Sequence, residues 1–210
     1  MPEDRWGRLA DTYDVDHACI AGADLIDAIR SELTRAVTAG DAIELGCGTG
    51  LFTSAYAPIC RHVIATDISP RMVERAARNL TGLPNLSMRT ADATATGLPA
   101  ESADVVVAVN LLHIVPDAAA VMTEIHRLLR PGGLAVLVDA TGQALSPLKS
   151  LTSMVRFLRR WGPMHVKGQQ NLTQTTLEAL VREAGFHVVE GHLITGEAMS
   201  AAFVRAVKPS

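Results

Sequence analysis

Short apolar runs alternate along the chain with longer stretches in which apolar residues recur at helical spacing. Five runs predict strands, at 42–45, 63–67, 86–89, 103–109 and 134–138. The early runs are apolar throughout instead of alternating with polar residues, as expected of strands that are buried on both faces. Two final strands are predicted at 186–189 and 201–207.

The helices predicted between these strands carry signals at their ends. Ser69 followed by Pro70 predicts an N-cap and a first turn, and this helix runs to about residue 80. The helix predicted at 116–129 is expected to be stopped by the Pro-Gly-Gly tripeptide at 131–133. Further helices are predicted at 53–59 and 176–184. Because strands alternate with helices, residues 1–210 are predicted to form one α/β domain with a parallel sheet covered on both faces.

Composition and charge mainly exclude classes of function and location. The chain has 210 residues and a formal net charge of −3, so no basic field for holding nucleic acid is expected. The polar, acidic start of the chain has no signal-peptide pattern, and no apolar run is long enough to span a bilayer. We therefore expect a cytoplasmic protein. Three cysteines without CxxC spacing predict neither a disulfide framework nor a metal site.

The stretch IELGCGTG at 43–50 follows the first strand and places three glycines at alternate positions. Ordering a glycine costs more conformational entropy than ordering any other residue, so the cluster indicates positive φ or a ligand close to the backbone. In open α/β sheets an acid at the end of the next strand binds ribose hydroxyls. Asp67 ends that strand, 21 residues after Gly46. The two features together predict a nucleoside site.

Two residues of this turn distinguish between nucleosides. A dinucleotide fingerprint has a third glycine where Leu51 stands. Glu44, inside the strand, would repel a pyrophosphate and would favour a cationic ligand. S-adenosylmethionine carries an ammonium and a sulfonium and has no phosphate, so it is the predicted cofactor.

Five ordered motifs resemble those of the class I S-adenosylmethionine-dependent methyltransferases, over most of the chain. They are IELGCGTG at 43–50, ATDIS at 65–69, ADA at 91–93, VNLLHIV at 109–115 and LLRPGGLAVLVD at 128–139. The resemblance implies a three-layer, Rossmann-like α/β fold whose seven-stranded sheet is mostly parallel, with the last strand antiparallel. It also implies transfer of a methyl group, by in-line displacement, to a small-molecule acceptor.

The resemblance implies roles for the residues that match the first two motifs. Gly46, Cys47 and Gly48 would line the methionine moiety through their backbone. Glu44 would face the methionine ammonium through water. Asp67 would hold both ribose hydroxyls by charge-assisted hydrogen bonds.

The later motifs imply the rest of the cofactor site. Ile68 would pack on the adenine. Asp92 would accept a hydrogen bond from the adenine amine, and the Ala93 N–H would donate to a ring nitrogen. Asn110 would lie near the methyl group.

Catalytic residues are less strongly indicated. The sulfonium makes the methyl group reactive, so no metal or covalent nucleophile is expected, and Cys47 is taken as a small packing residue. A general base is required only where the acceptor holds its proton tightly. The candidates are His113, after the fourth strand, and His165; packing or a local hydrogen bond is the alternative for His113.

The resemblance also implies substrate contacts in two variable segments. A cap helix within 1–30 would close over the cofactor, and Trp6 and Tyr13 resemble its aromatic residues, with core packing as the alternative. The second segment, 141–175, would contact the substrate or act as a lid.

Within the second segment, LKSLTSMVRFLRRW at 148–161 predicts a basic amphipathic helix. Three interpretations stay open. The helix could face the core with a solvated basic rim, it could cover an apolar or anionic acceptor as a lid, or it could touch anionic lipid at a membrane surface.

The sequence disfavours one class of methyl acceptor and leaves several others open. The (D/N)PPY motif of many relatives that methylate exocyclic or amide nitrogens is absent, and NLLH stands there at 110–113. An apolar or anionic metabolite, a quinone precursor or a lipid headgroup remains, and the oligomeric state is open. Two alternatives are an NAD-dependent oxidoreductase on a similar sheet and a non-catalytic S-adenosylmethionine-binding module.

Overall fold

A seven-stranded sheet organises the computed structural model, which describes residues 4–162 and 172–210. The strands are β1 (Asp41–Leu45), β2 (His62–Asp67), β3 (Leu86–Thr90), β4 (Ala103–Val109), β5 (Leu129–Thr141), β6 (His187–Thr195) and β7 (Ser200–Val207). Their order across the sheet is β3-β2-β1-β4-β5-β7-β6. Neighbours among β1 to β5 pair in parallel, whereas β7 is antiparallel to both of its neighbours. The predicted sheet, with its antiparallel last strand, is confirmed.

Helices cover both faces of this sheet. They are α1 (Tyr13–Ala21), α2 (Ala23–Ala36), α3 (Thr53–Tyr56), α4 (Pro70–Asn79), α5 (Ala118–Leu128), α6 (Pro147–Trp161) and α7 (Gln174–Glu183). Successive side chains of a strand point to opposite faces, and β4 shows the consequence. Val106 and Ala108 pack with α5 and α7, whereas Val105, Val107 and Val109 pack with α2 and α3.

The predicted helix starts are confirmed by their caps. The Ser69 hydroxyl accepts a hydrogen bond from the Met72 N–H at 3.2 Å at the start of α4. The Asp117 carboxylate accepts one from the Ala120 N–H at 2.9 Å at the start of α5. These side chains occupy backbone N–H groups that have no partner within the helix.

In two regions the predicted boundaries are wrong by more than three residues: β5, predicted at 134–138, spans Leu129–Thr141, and β6 is also longer than predicted. The Pro-Gly-Gly tripeptide at 131–133 lies inside β5 and does not end α5, which stops at Leu128; the strand begins at once because Leu129 already pairs with Ala103 of β4. The strand predicted at 186–189 extends to Thr195, because β7 pairs with it along that whole length. Pairing with β7 therefore sets the length of β6, although the pattern of apolar residues in β6 itself is interrupted.

The cap predicted within 1–30 is two helices instead of one. Gly22, with φ of 91°, separates α1 from α2. Helix α2 belongs to the core of the domain, since Leu25, Ile29 and Leu33 are all buried. Only the part before Gly22 is therefore free to act as a cap over the ends of the strands.

Phe203 of β7 is fully buried between the sheet and α2, so Phe203→Ala should lower the free energy of unfolding by about 3–5 kcal/mol. Urea unfolding measures this change. Val189→Ala, at a strand position that is 55% exposed, is the control and should stay within about 0.5 kcal/mol of wild type. Equal losses in both variants would contradict the assignment of Phe203 to the core.

Candidate active site

Two adjoining cavities lie beyond the carboxyl ends of the parallel strands. The larger one, called the cleft here, has a volume of about 390 Å³ and follows the tips of β1 and β2. The smaller one has a volume of about 100 Å³ and is called the aromatic cavity because Trp6, Tyr13, Phe157 and Trp161 line it. The two cavities meet at four residues that line both of them: Trp6, Tyr13, Asn110 and Ile114.

The glycine turn after β1 forms one wall of the cleft. Gly46 and Gly48 have φ of 73° and 54°, values that residues with side chains seldom adopt. A Cβ atom on Gly46 would lie 2.9 Å from Leu111 Cδ1, whereas one on Gly48 would meet nothing within 4 Å and would stand in open space. The backbone of the turn is thus exposed to whatever the cleft holds, as the sequence predicts.

Asp67 is held rigidly beside this turn. Its Oδ2 accepts a hydrogen bond from the Gly48 N–H and its Oδ1 accepts one from the Ser69 N–H, both at 2.9 Å. Burial raises the pKa of this carboxyl, and the backbone N–H groups act in the opposite direction. Since a carboxylate oxygen has two lone pairs, each oxygen can accept one further hydrogen bond.

The structure brings most of the predicted cofactor residues to the cleft. Ile68 is 60% exposed there, which is unusual for a large apolar side chain beside a cavity. The Asp92 Oδ1 accepts hydrogen bonds from the N–H and the hydroxyl of Thr94, each at 2.8 Å. The predicted residues that line the cleft are Tyr13, Gly46, Gly48, Asp67, Ile68, Asp92, Ala93 and Asn110.

Two predicted residues, Glu44 and Cys47, do not line the cleft. The Glu44 carboxyl is 1% exposed, and its Oε2 accepts hydrogen bonds from Thr53 at 2.5 Å and Tyr56 at 2.7 Å. Oε1 has no partner among the described residues, and burial raises the pKa of the carboxyl to about 7. The Cys47 N–H already donates to the Thr66 carbonyl at 2.9 Å, and burial raises the pKa of its thiol. Cys47 is therefore a protonated packing residue.

Asn110 occupies the boundary between the two cavities in a left-handed backbone conformation, with φ of 55°. Its Oδ1 accepts a hydrogen bond from the Ala140 N–H at 3.0 Å, which turns its Nδ2 toward His17 Nε2 at 3.5 Å. An amide nitrogen donates, so Nε2 of His17 is the acceptor nitrogen and Nδ1 carries the hydrogen.

His113 points into the aromatic cavity and is oriented by a buried acid. Its Nδ1 contacts Oδ1 of Asp139, whose Oδ2 accepts a hydrogen bond from the Leu112 N–H at 2.9 Å. Asp139 is 1% exposed. With Nδ1 held by the carboxylate, Nε2 is the ring nitrogen left for a ligand. Sequence reasoning missed Asp139, although an acid that ends an apolar strand was a usable signal.

Two buried N–H donors in the wall of the aromatic cavity have no partner among the described residues: His17 Nδ1 and Trp161 Nε1. Both rings stack on Tyr13, with centroids at 5.6 Å and 5.5 Å. Burial lowers the pKa of His17 to about 4, so its ring is neutral near pH 7. A buried donor without a partner is costly, so an acceptor atom that reached either nitrogen would be bound favourably.

Helix α6 closes the aromatic cavity with Phe157 and Trp161. It is attached to the domain by an ion pair between Arg160 and Asp16, with 3.0 Å between Nη1 and Oδ1, and by the Ser153 hydroxyl, which donates to the Ala198 carbonyl at 2.7 Å. The interpretation of a core-facing apolar stripe is wrong, because the residues of that stripe are exposed: Leu148, Leu151, Met154, Val155 and Leu158.

Three further predictions concern a second base, metal ligands and membrane-spanning helices. The second candidate base, His165, lies outside the described residues. In the part of the chain that the structure describes, no group of three or more His, Cys, Asp or Glu side chains could hold a metal ion. Over the same part, no helix has both the length and the apolar character required to cross a membrane.

Comparison with known proteins agrees with this geometry. The profile of a family described as "Methyltransferase domain" matches residues 43–137. Demethylmenaquinone methyltransferase of Clavibacter sepedonicus is 30% identical over 197 residues, covering 86% of this chain and 80% of that protein. Nodulation protein S of Sinorhizobium fredii is 28% identical over 144 residues, covering 67% of this chain. The chain spans 59% of the length of nodulation protein S.

A solved structure shares the fold. The N-methyltransferase NodS of Bradyrhizobium japonicum, in complex with S-adenosyl-L-homocysteine, superposes with a TM-score of 0.67. The match covers 89% of this chain and 86% of that one, with 22% sequence identity. At this identity the likeness concerns the arrangement of the backbone.

Glu44→Gln should remove a pH dependence of stability. The carboxyl has a pKa of about 7 in the folded chain against 4.5 when unfolded, so the unfolded state loses the proton first. The wild-type free energy of unfolding should therefore fall as pH rises across this window, by roughly 3 kcal/mol in all. Urea unfolding at about pH 5 and about pH 8 compares wild type with the variant.

The control for this titration is Glu178→Gln. Hydrogen bonds from Gln174 and Arg182 hold the Glu178 pKa below its ordinary value, so its contribution is constant over that pH range. An identical pH slope in wild type and Glu44→Gln would mean that Glu44 ionises in the folded chain as it does in water.

Proposed function

Since the chain belongs to the class I S-adenosylmethionine-dependent methyltransferases, we propose that it methylates a hydroxyl of an uncharged, largely apolar small molecule. The observation that carries the proposal is the His113–Asp139 pair, aimed into an apolar cavity that adjoins the cleft. Family membership removes the nicotinamide-dependent alternative. S-adenosylmethionine supplies a methyl group on a sulfonium, which is a reactive electrophile.

The residues of the cleft fit this cofactor. The open space at Gly48 admits a ligand against the bare backbone of the turn. Asp67 would hold the two ribose hydroxyls with the lone pairs that Gly48 and Ser69 leave unused. Ile68 would pack on the adenine from its exposed position. Glu44 lies behind the turn and does not line the cleft, so its Oε1 would contact the methionine ammonium only through a water molecule.

Asp92, Ala93 and Asn110 complete the proposed cofactor contacts. The Asp92 Oδ2, which Thr94 leaves unused, would accept from the adenine amine, with the Ala93 N–H as donor to the ring. Asn110 lies where the two cavities meet and would therefore be next to the transferred methyl group.

The wall of the aromatic cavity determines the proposed acceptor class. None of the described residues that line it is Asp, Glu, Lys or Arg, so nothing there would neutralise an ionised acceptor. His17 Nδ1 and Trp161 Nε1 would donate to an oxygen of the acceptor. An aromatic or quinol-like ring with oxygen substituents has this chemistry. The similarity to demethylmenaquinone methyltransferase supports the same class.

The size of the cavity adds a condition. At about 100 Å³ the space is smaller than sites that enclose whole small molecules, roughly 300–1,000 Å³. The acceptor would therefore enter with Phe157 and Trp161 displaced, and α6 would close behind it and exclude water. Apart from the packing of Phe157 and Trp161, which the acceptor would displace, the described polar side-chain contacts that hold α6 to the domain are one ion pair and one hydroxyl contact.

The proposed chemistry is positioning and one proton transfer. The cavity walls would align the acceptor oxygen with the methyl group, and such alignment contributes about 7–11 kcal/mol to lowering the barrier. His113 Nε2 would accept the proton of the acceptor hydroxyl. Asp139 would hold the imidazole in the tautomer that leaves Nε2 unprotonated and would stabilise the imidazolium that forms.

Asp67→Ala should weaken the affinity for S-adenosylhomocysteine at least tenfold. Each charge-assisted hydrogen bond contributes about 1.5–3 kcal/mol, and a loss of about 1.4 kcal/mol is tenfold in affinity. Isothermal titration calorimetry measures the dissociation constant. Asp11→Ala removes an acid that is 64% exposed and should leave affinity unchanged. Unchanged affinity in Asp67→Ala would place the ribose elsewhere.

His113→Gln should lower methyl transfer by about 10²–10⁴-fold while the affinity for S-adenosylhomocysteine stays at the wild-type value. Isotope-labelled S-adenosylmethionine, incubated with a metabolite extract and followed by mass spectrometry, reports transfer and identifies the acceptor. Asp139→Asn should lower transfer in the same direction, and His187→Gln, at an exposed position, is the control.

Two outcomes would count against this mechanism. Full transfer by His113→Gln would remove the general base. Wild-type binding of S-adenosylhomocysteine without transfer to any metabolite would favour the non-catalytic binding module.

A further inference from the structure

The outward side of α6 carries an apolar surface, called the outer face here. Its residues and their exposed fractions are Leu148 (71%), Leu151 (61%), Met154 (56%), Val155 (40%) and Leu158 (47%). At 100° per residue they lie within about 120° of the helix circumference. Nine large hydrophobic side chains are exposed in the described part of the chain, and five of them are on this one helix.

The outer face is turned away from the contacts that hold α6 to the domain. Ser153, Phe157 and Trp161 make those contacts on the opposite side of the helix. The other four exposed large hydrophobics are scattered over α1, the turn before β2, the cleft and β6. A contiguous exposed apolar patch of this kind marks an interaction surface, whereas isolated exposed apolar residues do not.

The charge beside the outer face has one sign. Lys149, Arg156 and Arg159 are exposed along one flank of α6, and none forms an ion pair with another described residue. No Asp or Glu occurs in the sequence between Asp139 and Glu178, although the chain as a whole has a net charge of −3. The helix is thus a local positive region on an acidic protein.

We propose that the outer face of α6 docks on an anionic lipid bilayer. An apolar stripe bordered by lysine and arginine is the combination by which interfacial helices bury their side chains at the headgroup boundary. The positive flank complements the negative surface of such a bilayer. The opposite side of the same helix closes the aromatic cavity. Docking would therefore bring that cavity close to apolar molecules that are dissolved in the bilayer. The docking itself does not depend on the proposed function.

Sedimentation of the full chain with vesicles tests the proposal without any turnover. The chain should bind vesicles of phosphatidylcholine mixed with phosphatidylglycerol, and added salt should weaken that binding. Binding to vesicles of phosphatidylcholine alone should be lower, by about fivefold for each basic residue near the surface. Equal binding to both compositions, or to neither, would overturn the proposal.

Variants of the two parts of the surface separate their contributions. Leu151→Glu with Val155→Glu should abolish binding to the mixed vesicles, and the exposed Val189→Glu is the matched apolar control. Arg156→Gln with Arg159→Gln should lower binding to the mixed vesicles roughly 25-fold. Arg78→Gln with Arg89→Gln, which removes two exposed charges elsewhere, should leave binding unchanged.

Two further measurements complete the test. Affinity for S-adenosylhomocysteine should stay at the wild-type value in all four variants, which shows that they fold and separates this proposal from that of the cofactor site. Light scattering reports the mass in solution. A dimer that Leu151→Glu with Val155→Glu converts to a monomer, without vesicle binding by wild type, would show that the outer face binds a second copy and would overturn the proposal.

Discussion

The hydrogen bond from the Gly48 N–H to the Asp67 carboxylate joins the tips of β1 and β2, and the rest of the site depends on it. It requires a turn with positive φ at Gly48, and it leaves the carboxylate buried but directed at the cleft. The Thr49 hydroxyl contacts Asp14 of α1, and the Ser69 hydroxyl donates to Asp4 at 2.8 Å. The cap that carries Trp6 and Tyr13 is therefore attached to the same two strand tips.

The two cavities place opposite electrostatic demands on their walls. The cleft has acids along it, as suits a cofactor with a positive tail, and the buried Glu44 behind the turn lies in the same region. The described wall of the aromatic cavity offers the N–H donors of His17 and Trp161 and contains no Asp, Glu, Lys or Arg. Asn110 separates the environments, because its Oδ1 is bound to β5 and its Nδ2 faces His17. The proposed neutral acceptor and the cationic cofactor would meet there, each beside a wall that suits its charge.

Helix α6 connects the chemistry to the outside of the protein. One side supplies Phe157 and Trp161 to the aromatic cavity, and the other exposes the outer face. Among the described residues, the polar side-chain ties of α6 to the domain are the ion pair of Arg160 with Asp16 and the hydrogen bond from Ser153 to the Ala198 carbonyl. In the two proposals an apolar acceptor, a closing lid and a lipid surface are parts of one arrangement, in which the helix would separate the aromatic cavity from a bilayer.

Local features of the sequence determined the sheet, the helix starts and most of the residues that line the cleft. Gly46, Gly48 and Asp67 were predictable from short motifs. A glycine cluster after one apolar run and an acid at the end of the next run can both be recognised without knowing any tertiary contact. The tertiary structure alone decided the rest. The pairing of His113 with Asp139 joins the turn after β4 to β5, 26 residues apart in sequence. His17 of α1 and Trp161 of α6 reach one cavity from distant parts of the chain. The direction of the apolar stripe on α6 was also undecided, because amphipathic spacing defines a face of a helix but not which face packs; contacts with distant residues do that.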